Sequence, residues 1–153
     1  MYPKIVHGNI IDQDVEVIVN PWNRNIIPWW LLHPQGVSKA IKNKGGYALF
    51  KAIAKCGPIE LGGARLTIAG RLPFKAIIHV AGINMLWVAT RHSVTNSVIN
   101  AMQLVSEHNY FSVAFPLIGT GSGNRGKKFY LKVTIETFQG IKNSAEVLIV
   151  HYQ

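Results

Sequence analysis

Residues 112–126 read SVAFPLIGTGSGNRG. An apolar, β-branched run stops at a glycine-rich turn, and beyond it Phe129–Gln139 carries Tyr130, Val133 and Phe138 at helical spacing. Strand, glycine loop and helix in that order form the repeating half of an α/β domain with parallel strands. Ligands of such sheets bind beyond the carboxyl ends of the strands, so the loop at Gly119–Gly126 is the first place to look for function. The same alternation continues outward in both directions. Further strands are predicted at Ile5–Ile11, Val15–Val19, Ala64–Ala69, Ala76–Ala81 and Glu146–Tyr152, and helices at Val37–Ala54 and Ser93–Glu107. Gly57-Pro58 and Gly140 supply stops. The fold class is therefore α/β, helices on both faces of a largely parallel sheet.

The chain has 153 residues and no composition shift, linker or repeat, which predicts a single domain over residues 1–153. Hydrophobic residues make up 48% and charged residues 15%, with a mean hydropathy of +0.17, which excludes disorder as the main state. The apolar runs Phe111–Ile118 and Val147–Val150 are far shorter than the ~20 residues that span a bilayer, so no membrane partner is expected. Residues 1–7, MYPKIVH, do not have the pattern of a secretory leader, and the single cysteine, Cys56, suits a reducing compartment. A cytoplasmic location is the expectation. Sixteen Lys and Arg against seven Asp and Glu give a net charge of +9, which favours anionic partners. The charges are scattered, with short clusters at Lys39-Lys42-Lys44 and Arg125-Lys127-Lys128, so charge does not choose among nucleic acid, membrane surface and a phosphorylated small molecule.

Two strand-to-helix loops suit phosphate. The first follows Val15–Val19 as Asn20-Pro21-Trp22-Asn23 and reaches a helix at Gly36-Val37-Ser38; the second is Gly119-Thr120-Gly121-Ser122-Gly123-Asn124. Glycines let backbone approach a ligand, and a helix N-terminus offers unpaired N–H groups, so two such loops at one sheet end suit a diphosphate held from both sides. Gly121 to Lys127 also spells G-x-x-x-x-G-K, but Lys128 stands where a phosphate-binding loop of nucleotide hydrolases carries the metal-binding hydroxyl, so that reading is weak. Asn20 and Asn23 can donate to and accept from a sugar hydroxyl. The apolar insertion Ile26–Leu32 reads as a ligand wall, a dimer patch or a satellite core. The six histidines lack metal-ligand spacing; His79, inside an apolar strand, is expected to be a satisfied core residue, and Cys56 to pack. No metal or cofactor is expected.

The residues together resemble a macro domain, the ADP-ribose-binding module. HGNI (7–10) resembles the family's G-D-I, and VEVIVNPWN (15–23) its apolar strand ending in N-A-A-N. GVSKAI (36–41) resembles G-V-D-G-A-I, and GGARLTIAGRLPFKAIIHVAG (62–82) the segment G-x-A-x-x-T-x-G-x-L-x-x-K-x-I-I-H. SVAFPLIGTGSG (112–123) resembles the A-F-P-x-I-G-T-G strand and loop. The resemblance implies a three-layer α/β/α sandwich around a mixed, mostly parallel sheet, with ADP-ribose at the strand ends. It further implies adenine contacts at Asn9 and Ile10, sugar contacts at Asn20 and Asn23, and phosphate loops at Gly36, Val37 and Ser38 and at Gly119, Thr120, Gly121, Ser122, Gly123 and Asn124.

The chain departs from the family at several of these positions. Asn9 replaces an adenine-recognising Asp, and a neutral acceptor makes a hydrogen bond about half as strong as a charged one. Ser38 and Lys42 stand where one hydrolytic branch carries Asp and His, Gly123 where an aromatic covers the distal ribose, and the connection from Asn23 to Gly36 is lengthened and holds Trp29-Trp30. Other hydrolytic members keep only the asparagine. The resemblance thus leaves two alternatives. One is a metal-independent hydrolase of the ADP-ribosyl linkage or of a small ADP-ribose derivative, with Asn23 as its catalytic residue. The other is a non-catalytic reader of ADP-ribosylated protein or nucleic acid. Nucleic-acid binding without ADP-ribose rests on charge alone.

Overall fold

A computed structural model describes residues 1–26, 36–83, 89–119 and 126–152. Strands β1 (Lys4–Gly8), β2 (Val17–Trp22), β3 (Ala64–Thr67), β4 (Ala76–Ala81), β5 (Ser112–Pro116) and β6 (Glu146–Tyr152) form one sheet in the order β1-β6-β5-β2-β4-β3. Every neighbouring pair is parallel except β3–β4, so the sheet is mixed with one antiparallel edge. Helices α1 (Gly36–Gly45) and α2 (Ala48–Ala54) cover one face, and α3 (Arg91–Glu107) and α4 (Lys127–Gln139) cover the other. The expected α/β/α sandwich is the observed one.

Alternation along the strands explains why both faces are covered. Val17, Val19, Ile78, Val80, Val113 and Phe115 point toward α3 and α4, where they meet Val94, Val98, Met102, Tyr130 and Phe138. The intervening Ile18, Trp22, Ile77 and Ala114 meet Ile41, Leu49, Phe50 and Ile53 of α1 and α2. Burying one side chain of this size contributes about 1.5–3 kcal/mol. Strands apolar on both faces therefore demand two helical layers, which is what excludes an open sheet with a wet side.

Several boundaries differ from expectation, and three of them have a clear local reason. The helical run 37–54 is broken at Gly45-Gly46 because the loop carrying Gly70 and Arg71 crosses there: the Arg71 N–H donates to Gly45 O at 3.0 Å, and a Cβ on Gly70 would lie 2.4 Å from that oxygen. Gly46, at φ +82°, turns the chain into α2. The first strand ends at Gly8, and Ile10–Asp12 form a 3-10 turn capped by Asn9. Residues 20–22, read above as loop, continue β2, because β4 pairs with it as far as Trp22↔Ala81. Pro21 is tolerated in this central strand because β5 has already left it. Cys56, expected to pack, is exposed, with its thiol 3.6 Å from Ala52 O.

Gly119 joins β5 to the second loop in a left-handed conformation, φ +92°. A Cβ there would also lie 3.0 Å from the Ala89 Cβ and 3.2 Å from the Tyr130 ring, which is itself held by donation of its hydroxyl to Ala89 O at 3.1 Å. Gly119→Ala is expected to cost at least about 1–2 kcal/mol through the backbone alone, measured as a lowered urea midpoint. An unchanged midpoint would show that this turn relaxes freely.

Candidate functional site

The sheet splits at its carboxyl end. β2 and β5 pair only through Val17↔Val113 and Ile18↔Ala114. Beyond that point β2 follows β4, while β5 follows β6 as far as Pro116↔Val150. The chain leaving β2 runs through α1 and α2 toward β3, and the chain leaving β5 runs through α4 to β6, on opposite sides of the split. This is a topological switch point, where open α/β sheets place their ligands. Asn23 and Gly36 stand on one lip, Leu117 to Gly119 on the other, and Gly8 to Ile10 leave the nearby β1 at the same end. The end of β4 closes against the second lip, since a Cβ on Gly82 would lie 2.5 Å from Ile118 Cγ2.

Beneath the first lip runs a buried polar chain across four elements. Ser38 Oγ of α1 donates to Asn20 Oδ1 of β2 at 2.7 Å, and Asn20 Nδ2 donates to His79 Nδ1 of β4 at 3.0 Å. The Nε2–H of His79 then donates to Thr67 Oγ1 of β3 at 2.8 Å, and that hydroxyl donates to Ile68 O at 3.0 Å. With Asn20 and His79 completely buried, desolvation pushes the imidazole down to about 3, so it is neutral. A fully satisfied chain of this kind fixes geometry, because any member left without its partner bears its full desolvation cost. Asn20 therefore acts behind the crevice, and its carboxamide is committed to Ser38 and His79. Ser38 also points inward, with a second contact to Pro21 O at 3.2 Å, which anchors the start of α1 to β2.

Asn23 is held differently. Its Oδ1 accepts from the Asn25 N–H at 2.7 Å, which turns the Nδ2 donors the other way. Asn25 adopts φ +60°, a left-handed conformation that Asn tolerates better than most residues. Its Nδ2 donates to Ile53 O at 2.8 Å and Gly57 O at 2.9 Å, and its Oδ1 accepts from Trp22 Nε1 at 3.3 Å. Asn25 thus orients Asn23, a role that sequence reasoning missed. The available signal was the third asparagine in the stretch 20–25, NPWNRN, placed just past a strand.

The remaining predicted residues fall as follows. Asn9 is half-buried, and its Oδ1 accepts from the Ile11 N–H at 3.2 Å. The Ile10 side chain lies in the core on the α1 and α2 side, which leaves its main chain for contact. Gly36 opens α1 at φ +56°; it is exposed, and among the described residues nothing lies within 4 Å of where a Cβ would stand. Val37 packs against the core below. Gly119 is as described above; Thr120, Gly121, Ser122, Gly123 and Asn124, with Trp29-Trp30, lie outside the described residues. Among the described residues no three His, Cys, Asp or Glu side chains gather to hold a metal ion, and no helix is long and apolar enough to cross a membrane.

The model of the Macro domain family matches residues 19–129, a span that contains both lips of the crevice. This chain belongs to the macro domain family. Among its relatives is a protein named O-acetyl-ADP-ribose deacetylase from Citrobacter koseri, 34% identical over 87% of this chain and 76% of its own length. A macro domain-containing protein of Caldanaerobacter subterraneus is 32% identical over 90% of this chain and 81% of its own length. The chain spans 65% of an uncharacterized protein of Sulfurisphaera tokodaii to which it is 34% identical. A solved mutant of the Oceanobacillus iheyensis macrodomain with ADPR superimposes with a TM-score of 0.83 at 27% identity, covering 95% of this chain and 82% of the other. In macro domain terms, Asn20 and Asn23 are the outer asparagines of the N-A-A-N segment. The structure divides them: the first lies in the buried chain with His79, and the second stands at the lip.

Proposed function

We propose that this macro domain binds ADP-ribose across the crevice between β2 and β5 and hydrolyses a small ester derivative of it, with O-acetyl-ADP-ribose the first substrate to test. The observation that carries the reading is the Asn23 carboxamide, fixed at the lip with its oxygen held by the Asn25 N–H and its donors turned the other way, on the lip that also carries the exposed Gly36. Support comes from the relatives that bear the deacetylase name at 34% and 33% identity, and from the solved neighbour with ADPR.

The N–H groups of the first turn of α1 have no partner within the helix and form one side of a diphosphate grip, with the second loop forming the other. Backbone dipoles suffice for a diphosphate when they are fixed in advance, so no metal is called for. The Asn23 Nδ2 donates to a hydroxyl of the distal ribose and holds the ester over the crevice. Water attacks the acyl carbon, the acyl C–O bond to the sugar breaks, acetate leaves, and the sugar oxygen takes up a proton.

One observation favours the reader alternative. The first turn of α1 carries no acidic residue, and the Ser38 hydroxyl is turned inward to Asn20, so that position offers no base to the crevice. Incubation with O-acetyl-ADP-ribose, and separately with mono-ADP-ribosylated protein, decides between the two. Release of acetate or of ADP-ribose supports the hydrolase. Binding with no release in either arm leaves a reader.

A further inference from the structure

A cluster of three nitrogenous side chains stands beside the crevice and takes no part in the grip described above. His7 of β1 and His151 of β6 are register partners, with ring centroids 5.0 Å apart. Lys127, the first residue of α4, brings its Nζ to 3.3 Å from His151 Nε2. These residues come from three elements, and His7 and Lys127 each adjoin His151, on the α4 side of the sheet. Lys127 and Lys128 also put two positive charges on the first turn of α4, where the helix dipole disfavours cations and acidic residues are absent. A sequence that breaks a local rule at a ligand-facing end of the fold marks a place where function is served.

The topology says what passes over this point. β6 lies between β1 and β5. His7 stands two residues before Asn9, and Lys127 opens the helix that follows the second loop. His151 lies one residue beyond the pair Pro116↔Val150, at the level where β5 gives way to that loop. This inference rests on the reading proposed above, which puts the diphosphate at the second loop, and on the family resemblance, which implies adenine at Asn9. The adenosine ribose joins those two groups covalently, so it must cross the end of β6, about one strand spacing (~4.8 Å) from either neighbour.

We infer that His7, His151 and Lys127 form a subsite for a phosphate monoester on the adenosine ribose, so that the protein prefers ADP-ribose phosphorylated at the 2′ position over ADP-ribose itself. A phosphate there would accept from the Lys127 ammonium and the two imidazoles, charge-assisted bonds that an unmodified hydroxyl cannot match. The Lys127–His151 contact is the resting arrangement, and the anion replaces it with a shared partner. None of the three residues belongs to the diphosphate grip or touches Asn23 in the proposed reading, so their loss leaves ADP-ribose binding in place.

Calorimetry with ADP-ribose and with 2′-phospho-ADP-ribose tests this on the intact chain at low salt. The phosphorylated compound is expected to bind about tenfold tighter, corresponding to one or two charge-assisted bonds. Lys127→Gln with His151→Gln is expected to remove that preference while changing the ADP-ribose Kd less than about twofold. Equal or weaker binding of the 2′-phosphate, with ADP-ribose binding intact, overturns the subsite and leaves the function proposed above untouched. A preference that survives the double substitution also overturns it. Failure of both ligands to bind rejects the functional reading and this inference together.

Discussion

Asn23→Ala is expected to lower acetate release from O-acetyl-ADP-ribose by about 10²-fold, the scale of loss when a contact that positions the reacting ester is removed. The loss should fall mainly on kcat, because the diphosphate is held by main chain that the substitution does not touch. Asn23→Asp is the sharper variant. A carboxylate still accepts the Asn25 N–H that now holds Asn23 at 2.7 Å, so the loop keeps its shape, but an oxygen takes the place of the Nδ2 donors. Turnover should fall as far as in the alanine variant. An aspartate variant with near wild-type rates would show that position 23 accepts hydrogen bonds from the substrate, against the orientation seen here.

The buried histidine carries the second large effect. Because the folded state holds His79 neutral, with its pKa near 3 against 6.5 for the ordinary group, the unfolded chain binds more protons between those values. Stability is therefore full above about pH 6.5 and falls as pH drops below it, by roughly 1.4 kcal/mol for each unit. Urea melts at about pH 7 and pH 5 should differ by about 2 kcal/mol from this source, before most carboxylates begin to titrate. His79→Gln keeps polar atoms near Asn20 and Thr67 while removing the titration, so it is expected to be less stable at pH 7 but flatter with pH. A variant that loses stability toward acid as steeply as the wild type would assign the effect to other groups.

Much of the fold was legible because it is written in spacing along the chain. Each of the six strands overlaps a run read from β-branched periodicity, although β2 continues three residues beyond its run, and the glycine loops mark the carboxyl ends where β2 and β5 part. What spacing does not show is register. Asn20 looked like a sugar ligand because it follows an apolar run; only its pairing with His79 across β2 and β4 shows that it is internal. For the same reason spacing does not show that the Ser38 hydroxyl turns back to Asn20, which leaves only its main chain for the crevice. Asn25 was missed because its role depends on the carbonyls of Ile53 and Gly57, some thirty residues away in sequence. The break at Gly45-Gly46 was hidden likewise, being forced by the loop at Gly70 rather than by the helix itself.

The central claim is that main-chain groups at the split between β2 and β5 hold a diphosphate, and calorimetric titration of wild type and Gly36→Glu with ADP-ribose, beside AMP as a control, tests it most directly. Gly36 faces open space at φ +56°, so a glutamate there strains the turn and places a carboxylate where the anion would lie. The account predicts micromolar binding of ADP-ribose to the wild type, at least about tenfold weaker binding of AMP, and no measurable binding to a folded Gly36→Glu variant. Undiminished binding of ADP-ribose by that variant, or none by the wild type, would contradict it.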